Sequence, residues 1–171
     1  MEGHSKNEFE IRLALDDDFE TIFSIYRQGM ENSFSIEEFN MNELTVKFRQ
    51  NFSSRHGICN FWVAVDFSKN ILGWQSLIQS SNNPFRENLY AESSTYIAKD
   101  NRFKGVGKAL LAHAVSEAEK SHLHYLIGFV TVDNAASVKI VKETGWIGLG
   151  VIPPNSKSSN KFPQMLFVRP L

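Results

Sequence analysis

The sequence predicts a single domain of mixed α/β (α+β) class, with about four helices packed on a mixed, mostly antiparallel and twisted sheet of about seven strands. Two apolar runs separated by a short polar turn are typical of an antiparallel hairpin. Further along, a strand, helix, strand pattern is typical of a parallel crossover. Both signals occur in a chain of 171 residues, 42% of them hydrophobic, which is enough for one substantial core.

The N-terminal part of the chain predicts one strand followed by two helices. Apolar and polar side chains alternate from Glu8 to Leu15, as in a strand. The acidic run Asp16–Asp18 then opens a helical pattern that ends near Gly29. Ser35, with Glu38 three residues on, has the spacing of a capping box and predicts the start of the second helix.

The rest of the chain predicts six strands and two helices. The strands fall at residues 61–65, 71–78, 90–98, 125–132, 146–152 and 165–168, and the helices begin at Val106 and after Asn134. The first two of these strands form the hairpin. Asn134 is a suitable N-terminal cap, and Gly145 a suitable end, for the last helix.

Composition limits the class of protein. The 18 Lys and Arg against 19 Asp and Glu give a net charge of −1, so overall charge offers no reason to expect nucleic acid or a membrane as partner. Cys59 is the only cysteine, and no Cys/His spacing fits a metal site. No apolar stretch suits a signal peptide or a membrane span. We therefore expect a cytoplasmic domain over residues 8–171 without a metal, preceded by a disordered segment of residues 1–7.

A glycine-rich turn lies where a strand gives way to a helix. Backbone N–H groups at a helix start have no partners and favour an anion, and Gly105 and Gly107 allow the anion to approach closely. No residue of the usual capping types stands within two positions before Gly105. The basic residues around the turn are Lys99, Arg102, Lys104 and Lys108. This pattern predicts a polyanion site, although a tight turn with solvated charges is an alternative.

Two common phosphate-binding motifs do not fit this turn. A P-loop would need glycine at Arg102 and Ser or Thr at Ala109, and a dinucleotide fingerprint would need glycine at Leu110. ATPase and dehydrogenase functions are therefore not indicated.

The turn Arg102-Phe103-Lys104-Gly105-Val106-Gly107 resembles the Arg/Gln-x-x-Gly-x-Gly/Ala coenzyme A loop of the GCN5-related N-acetyltransferases (GNAT). The segments Glu92-Ser93-Ser94-Thr95-Tyr96-Ile97 and Asn134-Ala135-Ala136-Ser137 are similar to the phosphinothricin acetyltransferase branch of that family. The resemblance is strong from about residue 90 to residue 150 and weaker at the C-terminus.

The resemblance implies a GNAT-like fold with acetyl-CoA as cosubstrate. It implies that the backbone of Tyr96, Ile97 and Ala98 pairs with the pantetheine arm, that Asn134 faces the thiol end of coenzyme A, and that Ser137 lies near the pantetheine. It implies that the pyrophosphate is held by Arg102 and by the amides of Phe103, Lys104, Gly105, Val106, Gly107 and Lys108. For Asn134 and Ser137, helix capping is the alternative role.

Acetyl transfer to an amine needs a general base, because a free ammonium with a pKa near ~10 is mostly protonated at neutral pH. Glu92 matches the strand glutamate of the family and shares a strand face with Ser94, Tyr96 and Ala98. We predict that Glu92 is the base, with a solvated strand charge as the alternative. A free backbone N–H on the strand that carries Ile97 could stabilise the oxyanion.

Three positions concern the proton donor and the acceptor. Val141 stands where the family often carries a Tyr or His that protonates the leaving thiolate. Phe162-Pro163-Gln164 replaces a Gly/Trp/Asp pattern of the branch, so the acceptor need not be phosphinothricin. Arg86 is similar to an arginine of the branch that could pair with an acceptor carboxylate, with a plain surface arginine as the alternative.

Taken together, these features predict an N-acetyltransferase in which a primary amine attacks acetyl-CoA directly in a ternary complex. The acceptor expected is an amino acid or a small amino-acid-like molecule. The amine of a polyamine, an antibiotic or a protein is the alternative acceptor for an acetyltransferase. A non-catalytic acyl-CoA-binding sensor or interaction module is the alternative of another class. Because the branch is often dimeric, Met165–Leu171 could contribute to a homodimer.

Overall fold

A seven-stranded sheet in the order β1-β2-β3-β4-β5-β7-β6 organises the computed structural model, which describes residues 8–33, 40–101, 103–154 and 162–171. The strands are β1 (Phe9–Leu13), β2 (Phe61–Asp66), β3 (Ile71–Gln79), β4 (Tyr90–Ile97), β5 (Tyr125–Thr131), β6 (Ile147–Ile152) and β7 (Gln164–Pro170). The α-helices in the described ranges are α1 (Phe19–Ser33), α2 (Met41–Ser53), α3 (Val106–Glu119) and α4 (Ala135–Glu143), and a short 3-10 helix, Asp16–Asp18, precedes α1. Only the β4–β5 pair is parallel, so the predicted class and sheet are confirmed.

Hydrophobic cores cover both faces of the sheet, with one cluster on the side of α1 and α2 and two clusters that include residues of α3. Alternation along β2 sends Phe61 and Val63 to one face and Trp62 to the other. The first core is rich in aromatic residues from α1 and α2, including Phe48 and Phe52. The second core joins Trp62 and its neighbours to α3, α4 and β7. Each layer of helices therefore buries one face of the strands that lead to the site.

Helix α1 is longer than predicted, because it passes through Gly29 and ends at Ser33. Glycine in a helix interior costs about 1 kcal/mol relative to alanine, which made it a plausible end. The structure gives the reason for a glycine here: a Cβ atom at Gly29 would lie 2.4 Å from Cδ1 of Tyr96. The residue permits close contact between α1 and β4 rather than ending the helix.

The capping box predicted at Ser35 and Glu38 lies outside the described residues, as does the predicted disorder of residues 1–7. The described part of α2 is capped by Asn40 instead. Its side-chain oxygen accepts hydrogen bonds from the N–H groups of Asn42 at 3.1 Å and Glu43 at 3.3 Å. An asparagine immediately before the helix satisfies two otherwise unpaired donors, and this explains the start at Met41.

The buried carboxylate of Asp18 joins β1 to the start of α1. Arg12 donates to it through Nη1 at 2.6 Å and Nη2 at 3.0 Å, and the Leu15 N–H donates at 2.7 Å. The hydrogen bonds from Arg12 hold the pKa of Asp18 below its ordinary value. We expect Asp18→Asn to lower the free energy of unfolding by about 1–3 kcal/mol at pH 7, measured by urea denaturation.

The pH dependence follows from the lowered pKa of Asp18. Its contribution to stability is fully present above the unfolded-state pKa of about 3.9 and is lost as pH falls through the lower folded-state pKa. The difference between wild type and Asp18→Asn should therefore shrink below about pH 4. Asp17→Asn, at an exposed neighbour, is the matched control and should leave the unfolding curve unchanged. Equal effects of the two substitutions would contradict the assignment.

Candidate active site

A gap between β4 and β5 opens in the middle of the sheet. The two parallel strands pair only at Tyr90↔Tyr125, Ala91↔Leu126 and Glu92↔Ile127, although β4 continues to Ile97. The gap contains Gly128, where a Cβ atom would lie 3.4 Å from the Trp146 ring. From Ser93 to Ile97, the side of β4 that faces β5 therefore has no backbone pairing with it.

The hydrogen-bond pattern decides which backbone groups face this gap. The Ala98 N–H donates to the Leu72 carbonyl at 3.0 Å, and the Ala98 carbonyl accepts from the Asn101 N–H at 3.1 Å. In an antiparallel ladder, successive residues direct their backbone N–H and C=O groups to opposite sides of the strand. Tyr96 therefore directs these groups toward β3, as Ala98 does, whereas Thr95 and Ile97 direct theirs toward the gap. Tyr96, Ile97 and Ala98 were predicted to pair with the pantetheine arm, but only Ile97 directs its backbone N–H and C=O groups toward the gap. Thr95 directs its backbone groups the same way.

Buried amide and hydroxyl groups hold β4 to β3 where β5 no longer supports it. Gln75, fully buried, donates from Nε2 to Ser93 Oγ at 2.8 Å and to the Ser76 carbonyl at 2.9 Å. The Thr95 hydroxyl donates to Gln75 Oε1. Because the bonds with Ser93 and Thr95 cross from β3 to β4, they keep the unpaired stretch of β4 in place.

The start of α3 is open. Gly105 has φ of 81° in the left-handed region and makes no side-chain capping bond, and a Cβ atom at this position would have no neighbouring atom within 4 Å. The loop before it is braced by Asn101, whose Oδ1 accepts from the Phe103 N–H at 3.0 Å and whose Nδ2 donates to the Phe103 carbonyl at 2.9 Å. The Phe103 amide is therefore already bonded, and the amides from Lys104 onward are better placed for an anion.

The basic residues predicted around this loop differ in their surroundings. Lys104 is exposed, and Lys108 forms an ion pair with Glu143 at 3.0 Å. Arg102 lies outside the described residues. Positive charge near the open helix start would favour a bound polyanion.

A cavity of about 510 Å³ extends through the gap. It brings together seven residues that the sequence singled out: Glu92, Tyr96, Ile97, Gly107, Asn134, Ser137 and Val141. Asn134 also caps α4, since its Oδ1 accepts from the Ser137 N–H at 3.1 Å. Arg86 is exposed on the loop between β3 and β4 and is not among the described lining residues, so its role stays a prediction.

Glu92 lies half-buried on β4, where it pairs with Ile78 on one side and Ile127 on the other. Burial raises the pKa of its carboxyl group above the ordinary value. Burial also raises the pKa of the Tyr26 hydroxyl, and the negative charge of Glu92 adds to this effect. The pKa of Tyr96 is raised by burial, with smaller contributions from Tyr26 and Glu92, so both phenols stay neutral at physiological pH. A carboxylate with a raised pKa is suited to accept a proton near neutrality.

The cavity wall contributed by β3 was not identified from the sequence. Trp74, Ser76 and Ile78 line the cavity from alternate positions of β3, and Tyr26 and Phe48 join them from α1 and α2. The ring of Trp74 stacks on that of Tyr96 at 4.8 Å between centroids. Period-2 alternation in β3 puts residues 74, 76 and 78 on one face, but only the register with β4 shows that Glu92 shares it.

Comparison with known proteins identifies the family. The model of the Acetyltransferase (GNAT) family matches residues 19–146. The chain belongs to the GNAT acetyltransferase family. Val141, which is buried and lines the cavity, cannot donate a proton from its side chain, so a GNAT reaction here would need another route for that proton.

Two GNAT relatives align with nearly the whole chain. YwnH of Bacillus subtilis strain 168, assigned provisionally as a phosphinothricin acetyltransferase, is 28% identical over 152 residues that cover 88% of this chain and 91% of its own. The L-methionine sulfoximine/L-methionine sulfone acetyltransferase of Pseudomonas aeruginosa is 26% identical over 163 residues, which cover 93% of this chain and 92% of its own.

A solved structure shares the fold. The phosphinothricin acetyltransferase of Sinorhizobium meliloti, crystallised in complex with acetyl-CoA, has a TM-score of 0.78 and 21% identity, covering 96% of this chain and 89% of its own. At that identity the likeness establishes the fold alone.

The residues present fit the acetyl-CoA that this fold implies. Among the described residues no side chain caps the start of α3, and the unfilled space at Gly105 leaves room for a pyrophosphate beside the first N–H groups of the helix. The backbone of Thr95 and Ile97 faces the gap and can pair with an extended amide-containing arm. Within the described residues, no three His, Cys, Asp or Glu side chains are grouped to hold a metal ion. Over the same ranges, no helix has the length and apolar character needed to cross a membrane.

Proposed function

We propose that this protein transfers the acetyl group of acetyl-CoA to a primary amine. The observation that carries the proposal is the half-buried Glu92 in a cavity that runs through the β4–β5 gap. A base of raised pKa thus shares one space with the open backbone of β4 and with Gly107 of α3. The family match and the relatives' names support the same reaction class.

Three parts of the chain would bind the cosubstrate. The amides of Lys104, Gly105, Val106, Gly107 and Lys108 would hold the pyrophosphate, with Arg102 adding charge. The backbone of Ile97, with that of Thr95, would pair with the pantetheine arm. Asn134 and Ser137, which line the cavity at the start of α4, would contact the thiol end. Acetyl-CoA would supply a thioester, an acyl group activated for attack by nitrogen.

The chain's own groups would then manage the protons. Glu92 takes a proton from the ammonium form of the acceptor, directly or through water, and the neutral nitrogen attacks the thioester carbonyl. A carbon–nitrogen bond forms and the carbon–sulfur bond breaks. A backbone N–H that β4 directs toward the gap stabilises the carbonyl oxygen during the attack. Because Val141 has no proton to give, the thiolate takes its proton from the attacking nitrogen or from water.

The acceptor that the relatives favour is an amino acid or a close analogue. Methionine sulfoximine and methionine sulfone appear in the name of the Pseudomonas aeruginosa relative, and Arg86 is our candidate partner for an acceptor carboxylate. A polyamine, an antibiotic, a protein amine, or a sensor function without turnover are the alternatives.

We also propose that the protein acts in the cytoplasm and forms a homodimer. Because β7 is hydrogen-bonded to β5 on one side and β6 on the other, its backbone cannot pair with a strand of a second copy, and a dimer interface would use other surfaces.

The experiment that tests the proposal is a panel of primary amines incubated with acetyl-CoA and followed by mass spectrometry. Acetylated amine together with an equal amount of free CoA supports transfer. Release of CoA without an acetylated amine would indicate hydrolysis only. Binding of acetyl-CoA with neither product would favour the sensor alternative.

A further inference from the structure

Strand β4 carries two hydroxyl groups on the face that points toward α3 and α4. Ala91 of this strand packs in the core cluster formed with both helices, and alternation puts Ser93 and Thr95 on the same face, opposite to Glu92. Both hydroxyl residues are partly exposed and line the cavity. Ser93 directly follows the last β4–β5 pair, and a Cβ atom at Gly128 would lie 3.6 Å from its carbonyl oxygen. Ser93 therefore lies where the gap begins.

The side chain of Gln75 determines what these two hydroxyls can do. Its Nε2 donates to the Ser76 carbonyl at 2.9 Å, and because a carbonyl can only accept, this bond fixes which end of the amide is the nitrogen. The same nitrogen lies 2.8 Å from Ser93 Oγ, so Ser93 accepts that hydrogen bond. The Thr95 hydroxyl must donate to Oε1, at the other end of the amide. Thr95 therefore uses its proton within the protein, whereas Ser93 does not.

The hydroxyl of Ser93 is a donor held in place beside the cavity. Within the described ranges, its oxygen makes no hydrogen bond other than the one it accepts from Gln75. That accepted bond fixes the position of the oxygen and polarises the O–H group. A ligand atom in the cavity can accept the proton of this group without displacing a partner inside the protein.

The two faces of β4 assign this donor to the leaving group of the reaction. Glu92, the proposed base, alternates onto the face of Tyr96, which packs with α1 and α2. An amine that attacks from that face leaves the sulfur, bonded to the same carbonyl carbon, toward the face of Ser93 and Val141. The sulfur gains negative charge as the carbon–sulfur bond breaks, and Val141 cannot donate a hydrogen bond to it. The Ser93 hydroxyl can.

We propose that Ser93 is a further catalytic residue, whose hydroxyl donates a hydrogen bond to the sulfur of coenzyme A as the thiolate leaves. This inference rests on the proposed acetyl transfer and names the group that stabilises the leaving atom. Ser93 keeps its own proton, and the thiolate is protonated by the attacking nitrogen or by water, so the proton balance is unchanged. A thiolate is a stronger acceptor than a thioester sulfur, so the bond contributes mainly to the transition state.

The test measures the pKa of the CoA thiol in its complex with the protein. A donor beside the sulfur favours the thiolate, so the wild type should hold this pKa lower than Ser93→Ala does. We expect the substitution to raise the pKa of the bound thiol by about 1, a roughly tenfold loss of thiolate below that pH. Ultraviolet absorbance of the thiolate follows the titration, and subtraction of the complex with desulfo-CoA removes the tyrosine signal.

Steady-state kinetics supply a second measurement. Because the hydrogen bond strengthens only as the sulfur becomes charged, Ser93→Ala should lower kcat about tenfold and leave the KM for acetyl-CoA unchanged. The titratable side chains among the described lining residues are Glu92, Tyr26 and Tyr96. All three are the same in every variant, so their influence on the thiol is common to all the titrations.

Two controls separate a hydrogen bond to sulfur from a structural effect. Thr95→Val removes the other hydroxyl bonded to Gln75, whose proton is already used. It should lower the free energy of unfolding in urea, as Ser93→Ala does, but leave the pKa of the bound thiol at its wild-type value. Ser116→Ala makes the test substitution on the exposed side of α3 and should change neither quantity.

The outcomes separate the inference from the proposed function. A raised thiol pKa in Ser93→Ala, but not in Thr95→Val or Ser116→Ala, supports the role of Ser93. The same thiol pKa in all four proteins, or an equal rise in Ser93→Ala and Thr95→Val, overturns that role and leaves the transferase proposal standing. Failure of the wild type to bind CoA at all overturns both.

Discussion

Glu92→Gln should reduce kcat/KM for the acceptor by about 10²- to 10⁴-fold at pH 7 while leaving the affinity for acetyl-CoA unchanged. Glutamine keeps the size of the side chain but cannot accept a proton, so the amine would have to reach the cavity already neutral. The strand position between Ile78 and Ile127 is unaffected by this change, because neither backbone pairing depends on the carboxylate.

The pH profile makes the prediction specific to proton transfer. Burial raises the pKa of Glu92, so the wild type gains activity as pH rises through that value and the carboxylate forms. Glu92→Gln lacks this step, so its kcat/KM should follow the fraction of the acceptor amine that is unprotonated. It should rise about tenfold per pH unit until the amine pKa near ~10. The ratio of the wild-type kcat/KM to that of the variant should therefore decrease at high pH.

The control for this prediction is Glu8→Gln, at an exposed position before β1. It should match the wild type at every pH, and calorimetry should give the same acetyl-CoA affinity for all three proteins. A uniform loss across the pH range in Glu92→Gln would mean that the carboxylate positions the substrate rather than accepting its proton.

Local patterns predicted most of the fold because each of them reports a local physical constraint. The apolar runs 61–65 and 71–78, with a polar turn between them, located β2 and β3, and the uncapped glycine turn located the start of α3. The end of α1 was wrong, because the reason for Gly29 lies in the ring of Tyr96, on a strand far along the sequence. A contact of that kind cannot be read from a helical pattern.

The candidate site likewise contains residues that sequence patterns predict and residues that only the folded structure reveals. Glu92, the glycine turn and Asn134 stand in segments with a recognisable pattern, and the structure places Glu92, Gly107 and Asn134 on one cavity. Trp74 and Ser76 lie in an ordinary apolar strand and carry no motif. Their place on the cavity wall depends on the register of β3 with β4, which is a property of the folded protein.

Gly105→Trp should weaken binding of acetyl-CoA at least about 100-fold, measured by calorimetry. A Cβ atom at Gly105 has open space around it, so the indole would occupy the region in front of the N–H groups at the start of α3 rather than clash with the protein. Hydrogen bonds from backbone N–H groups to a charged phosphate contribute about 1.5–3 kcal/mol each, and the loss of two accounts for the expected factor.

Backbone strain must be separated from this blockade, because a side chain in the left-handed region costs roughly 1–2 kcal/mol. Gly57→Trp provides the comparison: Gly57 also has a positive φ, of 51°, and open space at its Cβ position, but it lies between α2 and β2 and outside the cavity lining. Both variants should lose similar stability in urea, and only Gly105→Trp should lose acetyl-CoA. Equal weakening by the two substitutions would trace the effect to strain, and tight binding by Gly105→Trp would remove the glycine turn from the cosubstrate site.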